Sequence, residues 1–362
     1  MDSLGFEIDP DLSRASTPPA AFYTDPRVLE RAKERVFAPS WQLACDAGEL
    51  AEPGSVVPVL LHEGLLDEPL VLTRDAEGGM HALSNVCTHR GNVLVTESGK
   101  RGSLVCGYHG RRFDLDGRFR SMPGFEGARA FPGPADDLAR VAVASLGNLV
   151  FASLAPGQPF EAWTADLARR LAWLRFGDVV LDRSLSRDYE VRANWALYCD
   201  NYLEGFHIPF VHAALTARIE LEAYATETFE RSSVQIALAK PGEEAFEPPA
   251  GSPDAGKRVA GYYWFLFPNL MLNFYPWGLS VNVVRPLGVD RTRVSFLAYV
   301  GDRAKLERGA GAGLDRVERE DEGVVEAVQR GIRSRLYGRG RYSPTHERAV
   351  HHFHRLLLAQ LA

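Results

Sequence analysis

Two short segments decide the fold of this chain: CTHRG at residues 87–91 and CGYHG at residues 106–110. Each contains one cysteine and one histidine, and sixteen residues separate the first histidine from the second cysteine. Thiolates and imidazoles are common ligands of transition metals. Four cysteines in 362 residues do not make a disulfide scaffold, so we interpret the two segments as metal-binding loops.

The order of the ligands favours one kind of metal site. A Rieske-type [2Fe–2S] cluster needs two thiolates on one iron and two imidazoles on the other. Cys87 with His89, and Cys106 with His109, could each supply one ligand to each iron. The alternative is a structural zinc site, but zinc sites usually pair cysteine with cysteine and histidine with histidine. We therefore predict that these four residues bind a [2Fe–2S] cluster.

The composition is that of a globular protein and excludes several other classes. The net charge is −6 with a pI near 6.0, which indicates neither a nucleic-acid nor an anionic-membrane partner. No apolar run approaches the roughly 20 residues that span a bilayer, and residues 1–19 lack a signal-peptide pattern, so we expect a cytoplasmic protein. Cys45 and Cys199 have no metal-like partner nearby and are expected to be small buried side chains.

The composition and the hydrophobic pattern of the sequence change along the chain. Residues 1–40 form an acidic arm and then a helix that starts at Asp25-Pro26, and we expect this segment to join the second domain. Residues 41–155 consist of short apolar runs separated by Gly, Pro and Asp, which is typical of a small all-β domain. Residues 156–362 mix helices and longer strands, which predicts an α+β domain on an antiparallel sheet.

Periodicity predicts the elements of the second domain, apart from a surface loop at residues 241–257. The predicted helices cover residues 161–176, 314–336 and 344–361. The predicted extended segments cover residues 187–194, 229–239, 262–273, 279–286 and 292–300.

A second metal site is suggested by two histidines in DNYLEGFHIPFVH at residues 200–212. His207 and His212 would lie about 140° apart around an ideal helix. Pro209 between them should end the helix near His207, and two histidines at a helix end can converge on one metal. By its spacing alone, the pair is more typical of two core histidines than of metal ligands.

A carboxylate on the helix predicted at residues 314–336 could complete this site. Its apolar positions recur at steps of three and four: Leu314, Val317, Val324, Val328 and Ile332. Asp321 falls on this stripe, where an unpaired charge is costly, so it needs a metal or an arginine from elsewhere, unless it lies at the edge of the stripe. Two histidines and one carboxylate form the facial triad of non-haem Fe(II) oxygenases.

Together these segments resemble one family. The CTHRG and CGYHG segments look like the Rieske domain of the ring-hydroxylating oxygenase α subunits. Residues 194–195 and 200–212, with VQRG at 328–331, are similar to the catalytic iron site of the same Rieske non-haem iron oxygenases. The similarity extends over nearly the whole chain and implies a helix-grip-like catalytic domain beside the small all-β Rieske domain.

The resemblance implies specific ligands for a mononuclear Fe²⁺. His207, His212 and Asp321 match the iron ligands of the family, and Glu320 and Glu322 are the alternatives if the register differs. These residues would hold the iron with positions open for O2.

The resemblance also implies two catalytic residues, Asn201 and Glu204. In related enzymes the acidic residue at position 204 links the iron-site histidine to the cluster histidine of the adjacent subunit, although many members have Asp there. The chain also departs from the family at Arg111, where most members have Trp after the second His-Gly. We expect this change to affect the surroundings of the cluster and not its ligands.

The implied activity is that of a terminal oxygenase. It would use O2 to hydroxylate or oxidatively demethylate a small organic substrate, and the family's electron transfer between subunits implies a homotrimer. GAGAG at residues 309–313 resembles a phosphate loop but lacks a dinucleotide-binding unit around it. We read it as a flexible entry to the following helix, so a separate NAD(P)H-dependent reductase, with or without a ferredoxin, must supply the electrons.

The substrate is the least determined property. The motifs resemble choline monooxygenase and its relatives, which favours a quaternary amine such as choline or a betaine. Tyr202, Phe206, Tyr275 and Trp277 could form an aromatic cage for a trimethylammonium group. The same residues would suit an arene, so hydroxylation or dihydroxylation of an aromatic compound is the alternative.

Overall fold

Strand pairing in the described part of the chain is antiparallel throughout the named sheets. The computed structural model describes residues 5–175 and 177–362. Contacts divide the chain into a smaller unit, Phe37–Gly157, and a larger unit, Met1–Val36 with Gln158–Ala362. These bounds differ by a few residues from those expected from the sequence.

The smaller unit is a β structure with two sheets. Its strands are β1 (Gln42–Asp46), β2 (Ser55–Leu61), β3 (Glu68–Arg74), β4 (Met80–Ser84), β5 (Gly99–Lys100), β6 (Leu104–Val105), β7 (Arg112–Phe113), β8 (Phe119–Ser121), β9 (Arg140–Leu146) and β10 (Leu149–Ser153). A seven-stranded sheet has the order β1-β10-β9-β4-β3-β2-β5, and a three-stranded sheet has the order β6-β7-β8. The segment at residues 106–110 is thus the turn between the first two strands of the small sheet.

The larger unit combines a seven-stranded sheet with helices. Its helices are α1 (Ala20–Thr24), α2 (Pro26–Ala32), α3 (Phe160–Arg170), α4 (Trp195–Tyr202), α5 (Ile208–Val211), α6 (Ala213–Thr216), α7 (Leu314–Gly331) and α8 (Arg348–Leu361). Its strands are β11 (Val180–Val191), β12 (Ala225–Thr228), β13 (Ser232–Leu238), β14 (Val259–Leu266), β15 (Leu270–Tyr275), β16 (Gly278–Gly288) and β17 (Arg291–Val300). The sheet order is β11-β17-β16-β15-β14-β13-β12. These two units confirm the predicted α+β class.

Helices α4 and α7, which carry Asn201 and Asp321 of the site described below, pack against each other. Helix α4 begins at Asn194, whose side chain accepts a hydrogen bond from the N–H of Ala196 at 2.9 Å, a typical N-cap. The side chain of Gln329 on α7 accepts from the N–H of Asn194 at 2.7 Å. This bond is buried and therefore fixes the start of α4 on α7.

One predicted strand is wrong. The apolar run at residues 262–273 forms two strands, β14 and β15, instead of one. Pro268 interrupts it because proline has no N–H for a sheet ladder, and Asn269 in the same turn donates to the carbonyl of Val284 at 2.8 Å.

Several predicted helix bounds are also wrong. Helix α3 ends at Arg170 instead of continuing to residue 176, which lies outside the described residues. Helix α7 ends at Gly331, a poor helix former, and α8 starts only at Arg348. The extended segment expected at residues 187–194 belongs to β11 only as far as Val191, and Asn194 already caps α4. None of the helices in the described ranges has the length and apolar character that a membrane span requires.

Candidate metal centres and substrate cavity

The two cysteine–histidine segments of the smaller unit have the same backbone hydrogen bonds. The N–H of Gly91 donates to the carbonyl of Cys87 at 2.9 Å, and the N–H of Gly110 donates to the carbonyl of Cys106 at 3.0 Å. Both glycines have a left-handed backbone conformation, with φ of 70° and 73°, which allows each loop to turn back sharply. Each segment is therefore a tight loop that presents its ligands in the same way.

The loops direct N–H groups at both sulfur atoms. The N–H groups two and three residues after Cys87 donate to its sulfur, and the same is true of Cys106. The side-chain amide of Asn92 adds a donor 3.6 Å from the Cys106 sulfur. Donors of this kind stabilise the negative charge of cluster sulfurs and thiolates, so the loops fit an iron–sulfur cluster.

The four candidate ligands differ in burial by type. Cys87 and Cys106 lie in the core of the smaller unit, whereas His89 is half-buried and His109 is exposed. The two imidazole rings lie together, with centroids 4.8 Å apart and planes at 71°. The structure thus brings the predicted quartet together, with its thiols inside and its imidazoles towards solvent.

The other two cysteines have thiols that stay protonated. Cys199 is buried and Cys45 is half-buried. Burial raises the pKa of Cys45 to about 12, and burial also raises that of Cys199 well above its usual value. Neither thiol is therefore a ready metal ligand or nucleophile.

The second site lies where α4 ends and a short helix begins. Helix α4 stops at Tyr202, and Pro209 stands in the first turn of α5. The expectation that Pro209 closes the preceding helix is therefore wrong, because proline is well tolerated in a first helical turn. His207 and His212 flank α5, and their ring centroids are 5.1 Å apart.

Asp321 on α7 completes this cluster. Its Oδ1 lies 3.4 Å from Nε2 of His207 and 3.0 Å from Nε2 of His212. In the described residues, His207, His212 and Asp321 are the only group of three potential metal ligands whose ligand atoms all lie within 4.8 Å of one another. The stripe on α7 has a different register from that predicted, since Val325 is buried and Val328 is 42% exposed.

A second carboxylate orients each histidine. Nδ1 of His207 donates to Glu204 at 2.6 Å, and Nδ1 of His212 donates to Glu320 at 2.8 Å. Because Nδ1 of each ring is held by an outer carboxylate, each Nε2 faces the same carboxylate oxygen of Asp321, and loss of the Nε2 proton would free its lone pair for a metal. This pattern of outer carboxylates is typical of metal-binding histidines, and the donor set fits a divalent iron.

The charges in the cluster favour a cation. Burial lowers the pKa of His207, but hydrogen bonds to Asp321 and Glu204 outweigh it and raise that pKa to about 9. Burial raises the pKa of Asp321, but the hydrogen bonds from both histidines hold it below its usual value. The same negative environment that retains protons on the imidazoles would stabilise a metal ion in their place.

The other three residues predicted for this site, Asn201, Glu320 and Glu322, lie at different positions relative to the cluster. Asn201 donates from its side-chain amide to Oδ1 of Asp321 at 2.7 Å. Glu320 contacts His212 and accepts from Arg316, so it stands behind a histidine and not between the two. Burial raises the pKa of Glu322 to about 7, and this residue is not in the cluster.

A cavity opens directly beside this cluster. It encloses about 640 Å³ of space free of atoms, a volume that includes open solvent at its mouth. Its aromatic lining consists of five tyrosines: Tyr198, Tyr202, Tyr224, Tyr263 and Tyr275. Asn201, Glu204, His207, His212 and Asp321 also line it. A molecule bound in the cavity would therefore touch the candidate metal site.

The predicted aromatic cage is only partly correct. Tyr202 and Tyr275 line the cavity, but Phe206 is 46% exposed and stacks on His346 instead. Trp277 is buried behind Tyr275, with ring centroids 5.5 Å apart, and its indole donates to the carbonyl of Gly311 at 3.1 Å.

The glycine-rich segment is a packed turn. A Cβ on Gly311 would lie 2.2 Å from the Trp277 indole nitrogen, so only glycine allows this approach. The expectation of a flexible entry to α7 is therefore wrong, because Gly309–Gly311 forms a buried 3₁₀ turn.

The sequence interpretation missed one polar residue of the cavity, Glu318. Its carboxylate accepts from the hydroxyl of Tyr198 at 3.1 Å, and the side chain of Asn282 also donates to it. Burial, with the nearby Asp321 carboxylate, raises the pKa of Glu318 well above its usual value. Its spacing from Asp321 is the sequence feature that could identify it: Glu318 precedes Asp321 by three residues and therefore lies on the same helix face.

Comparison with known families defines the class of protein. Residues 40–132 match the Rieske [2Fe-2S] domain, and residues 172–362 match the ring hydroxylating alpha subunit (catalytic domain). The chain belongs to the ring-hydroxylating oxygenase α-subunit family and is a Rieske non-haem iron oxygenase. Enzymes of this class carry a [2Fe–2S] cluster and a mononuclear iron, which confirms the predicted family, enzyme class and cofactors.

Individual relatives are monooxygenases of quaternary ammonium compounds. The chain is 34% identical to the chloroplastic choline monooxygenase of Arabidopsis thaliana, over 99% of this chain and 86% of the relative. It is 30% identical to the carnitine monooxygenase oxygenase subunit of Escherichia coli (strain K12), over 95% and 93% of the two chains. A solved quaternary ammonium Rieske monooxygenase superposes with a TM-score of 0.80 at 25% identity, covering 99% and 100% of the two chains.

Proposed function

We propose that this chain is a terminal oxygenase that hydroxylates or oxidatively demethylates a small quaternary ammonium compound. The observation that carries the proposal is the Glu318 carboxylate in a tyrosine-lined cavity beside the His207, His212 and Asp321 cluster. The names of the choline and carnitine monooxygenase relatives support the same substrate class.

The ligands of the two cofactors are part of this proposal. Cys87, His89, Cys106 and His109 would hold the [2Fe–2S] cluster. His207, His212 and Asp321 would hold the mononuclear iron, in preference to Glu320 or Glu322. When bound, the iron supplies the activation of O2 and the cluster supplies the electrons.

The chain's own residues would then orient these ligands. Asn201 holds the Asp321 carboxylate through its amide, and Glu204 keeps the His207 ring in the tautomer with a free Nε2. Both bonds fix geometry before any substrate arrives, which is how outer residues tune a metal site.

Glu318 favours a cationic substrate over an arene. Glu318 is half-buried, and a carboxylate partly removed from water without a countercharge is costly; no cationic side chain of the described residues pairs with it. A quaternary ammonium group would supply that charge, and the faces of the surrounding tyrosines would attract it as well. An arene would supply no charge to stabilise the ionised carboxylate, so the cavity favours the cation over the arene.

The partners follow from the electron supply. We propose that electrons come from a separate NAD(P)H-dependent reductase, with or without a ferredoxin, and that the chain forms a homotrimer. Glu204 would connect His207 to the cluster histidine of the adjacent subunit. The structure of the quaternary ammonium relative is described in terms of inter-subunit electron transfer, which supports this arrangement.

Substrate-triggered O2 uptake tests the proposal. The reconstituted enzyme with a reductase should consume O2 with choline or a carboxylated betaine and form a hydroxylated or demethylated product. The matched control is 3,3-dimethyl-1-butanol, a neutral analogue of choline, which should give no coupled O2 uptake. Turnover of arenes without turnover of any quaternary amine would overturn the proposed substrate class.

A further inference from the structure

We propose that Arg111 is a positioning residue of the smaller unit: through Asp136 it ties the two cysteine–histidine loops together, and its buried positive charge raises the reduction potential of the cluster. Arg111 stands where most family members have tryptophan. The proposal concerns the cluster alone and is independent of the substrate class.

A network of hydrogen bonds joins both loops to one residue. The guanidinium Nη2 of Arg111 donates to Oδ1 of Asp136 at 2.6 Å and to its carbonyl oxygen at 3.1 Å. The hydroxyl of Thr88, which lies between the ligands of the first loop, donates to the same carbonyl at 2.9 Å. The carbonyl of Arg111 in turn accepts from the N–H of Cys106 at 2.8 Å. Arg111 and Asp136 therefore connect the first loop to the second.

Aromatic rings enclose the guanidinium. Its central carbon lies 4.8 Å from the ring centroid of Phe119 and 5.6 Å from those of Phe113 and Phe131. Arg111 is only 2% exposed, and its Nε has no hydrogen-bond partner among the described residues. The residue thus fills an aromatic pocket that would suit an indole ring, but it brings a permanent charge into it.

The charge of Arg111 is only partly cancelled by its partner. Asp136 is 22% exposed at its side chain, so water screens its negative charge better than it screens the buried guanidinium. A net positive field therefore acts on the two adjacent loops. Reduction adds a negative charge to the cluster, so this field stabilises the reduced form and raises the potential.

Opposite charge changes at the two partners test the electrostatic role. The cluster potential of the full-length holoprotein would be measured by a redox titration that follows the electron paramagnetic resonance signal of the reduced cluster. Arg111→Met should lower the potential because it removes the positive charge. Asp136→Asn should raise it because it removes the negative charge, while its backbone carbonyl still accepts from Thr88 and Arg111.

A matched control separates electrostatics from general disturbance. Arg112→Met makes the same charge change at the exposed neighbouring residue, and water should screen it, so the potential should stay at the wild-type value. If Arg111→Met does not retain the cluster, Arg111→Lys and Asp136→Asn carry the test: Lys should keep a potential near wild type, and Asn should raise it. Shifts of the same sign in the Arg111→Met and Asp136→Asn proteins, or an unchanged potential in Asp136→Asn, would overturn the proposal.

Discussion

The two candidate metal centres of this chain are built in different ways. In the smaller unit, the ligands and the N–H groups that surround them belong to two five-residue loops with the same hydrogen bonds. In the larger unit, Asp321 lies 109 residues after His212 along the chain, and carboxylates from two elements orient the histidines. The first site is a local property of its loops, whereas the second depends on how α4, α5 and α7 pack.

The largest expected effect separates the two sites completely. His207→Ala should abolish substrate oxidation and remove about one third of the bound iron, because the packed site loses a ligand while the loops stay intact. O2 uptake would measure the loss of substrate oxidation, and iron analysis would measure the loss of iron. The electron paramagnetic resonance signal of the reduced cluster would show that the loops stay intact. The reciprocal control is Cys87→Ser, which should lose the cluster signal. Oxygenation that survives in His207→Ala would show that the ligand assignment is wrong.

The next effect concerns the connection between the sites. Glu204→Gln should keep both metals but slow turnover by up to about 100-fold, because the proposed electron path would lose the carboxylate that accepts from Nδ1 of His207. Stopped-flow reoxidation of the reduced cluster by O2 and substrate measures this step. Glu320→Gln is the matched control at His212, and it should keep the larger part of the activity. Rapid reoxidation in Glu204→Gln would count against the bridge.

A smaller effect tests how far the packed site depends on its neighbours. Asn201→Ala should weaken iron binding by about 10-fold to 100-fold, because Asp321 loses the amide that orients it. The rate of iron loss to a chelator provides the measurement, and the cluster signal should not change. Unaltered iron retention would mean that the histidines alone set the carboxylate geometry.

The smallest expected effect concerns the substrate. Glu318→Gln should raise KM for a quaternary amine by about 10-fold, with a smaller change in kcat, because the cavity loses its negative charge. Burial raises the pKa of Glu318 and so favours its protonated form, whereas a cationic ligand would favour the ionised form and promote proton release. Binding should therefore tighten as pH rises towards that raised pKa. Calorimetry in buffers of different ionisation enthalpy should detect proton release in the wild type and none in Glu318→Gln.

The same contrast explains what the sequence could predict. The metal-binding loops at residues 87–91 and 106–110 can be predicted from the sequence because their ligands and turn residues are adjacent along the chain. His207, His212 and Asp321 do come together in the structure, although their role as iron ligands stays a prediction. The stripe that pointed to Asp321 had the wrong register, since periodicity alone does not determine which face of α7 meets the sheet and α4.

The cavity lining was the least predictable part. Tyr224 and Tyr263 come from different strands and loops and reach the cavity only through the sheet order. Phe206 and Trp277 looked equally suitable in sequence, but one is exposed and the other lies behind Tyr275. Aromatic residues serve in cores, surfaces and sites alike, so composition does not separate these roles.

Gly205 has a consequence for attempts to redesign this enzyme. A Cβ at this position would lie 2.6 Å from the ring of Tyr224, so the backbone leading to His207 rests directly on a wall of the cavity. Trimming Tyr224 to admit a bulkier substrate would remove the support beneath that backbone. A library that seeks new substrates while keeping the iron should therefore hold Gly205 and Tyr224 constant and diversify Tyr263 on β14 and Tyr275 on β15.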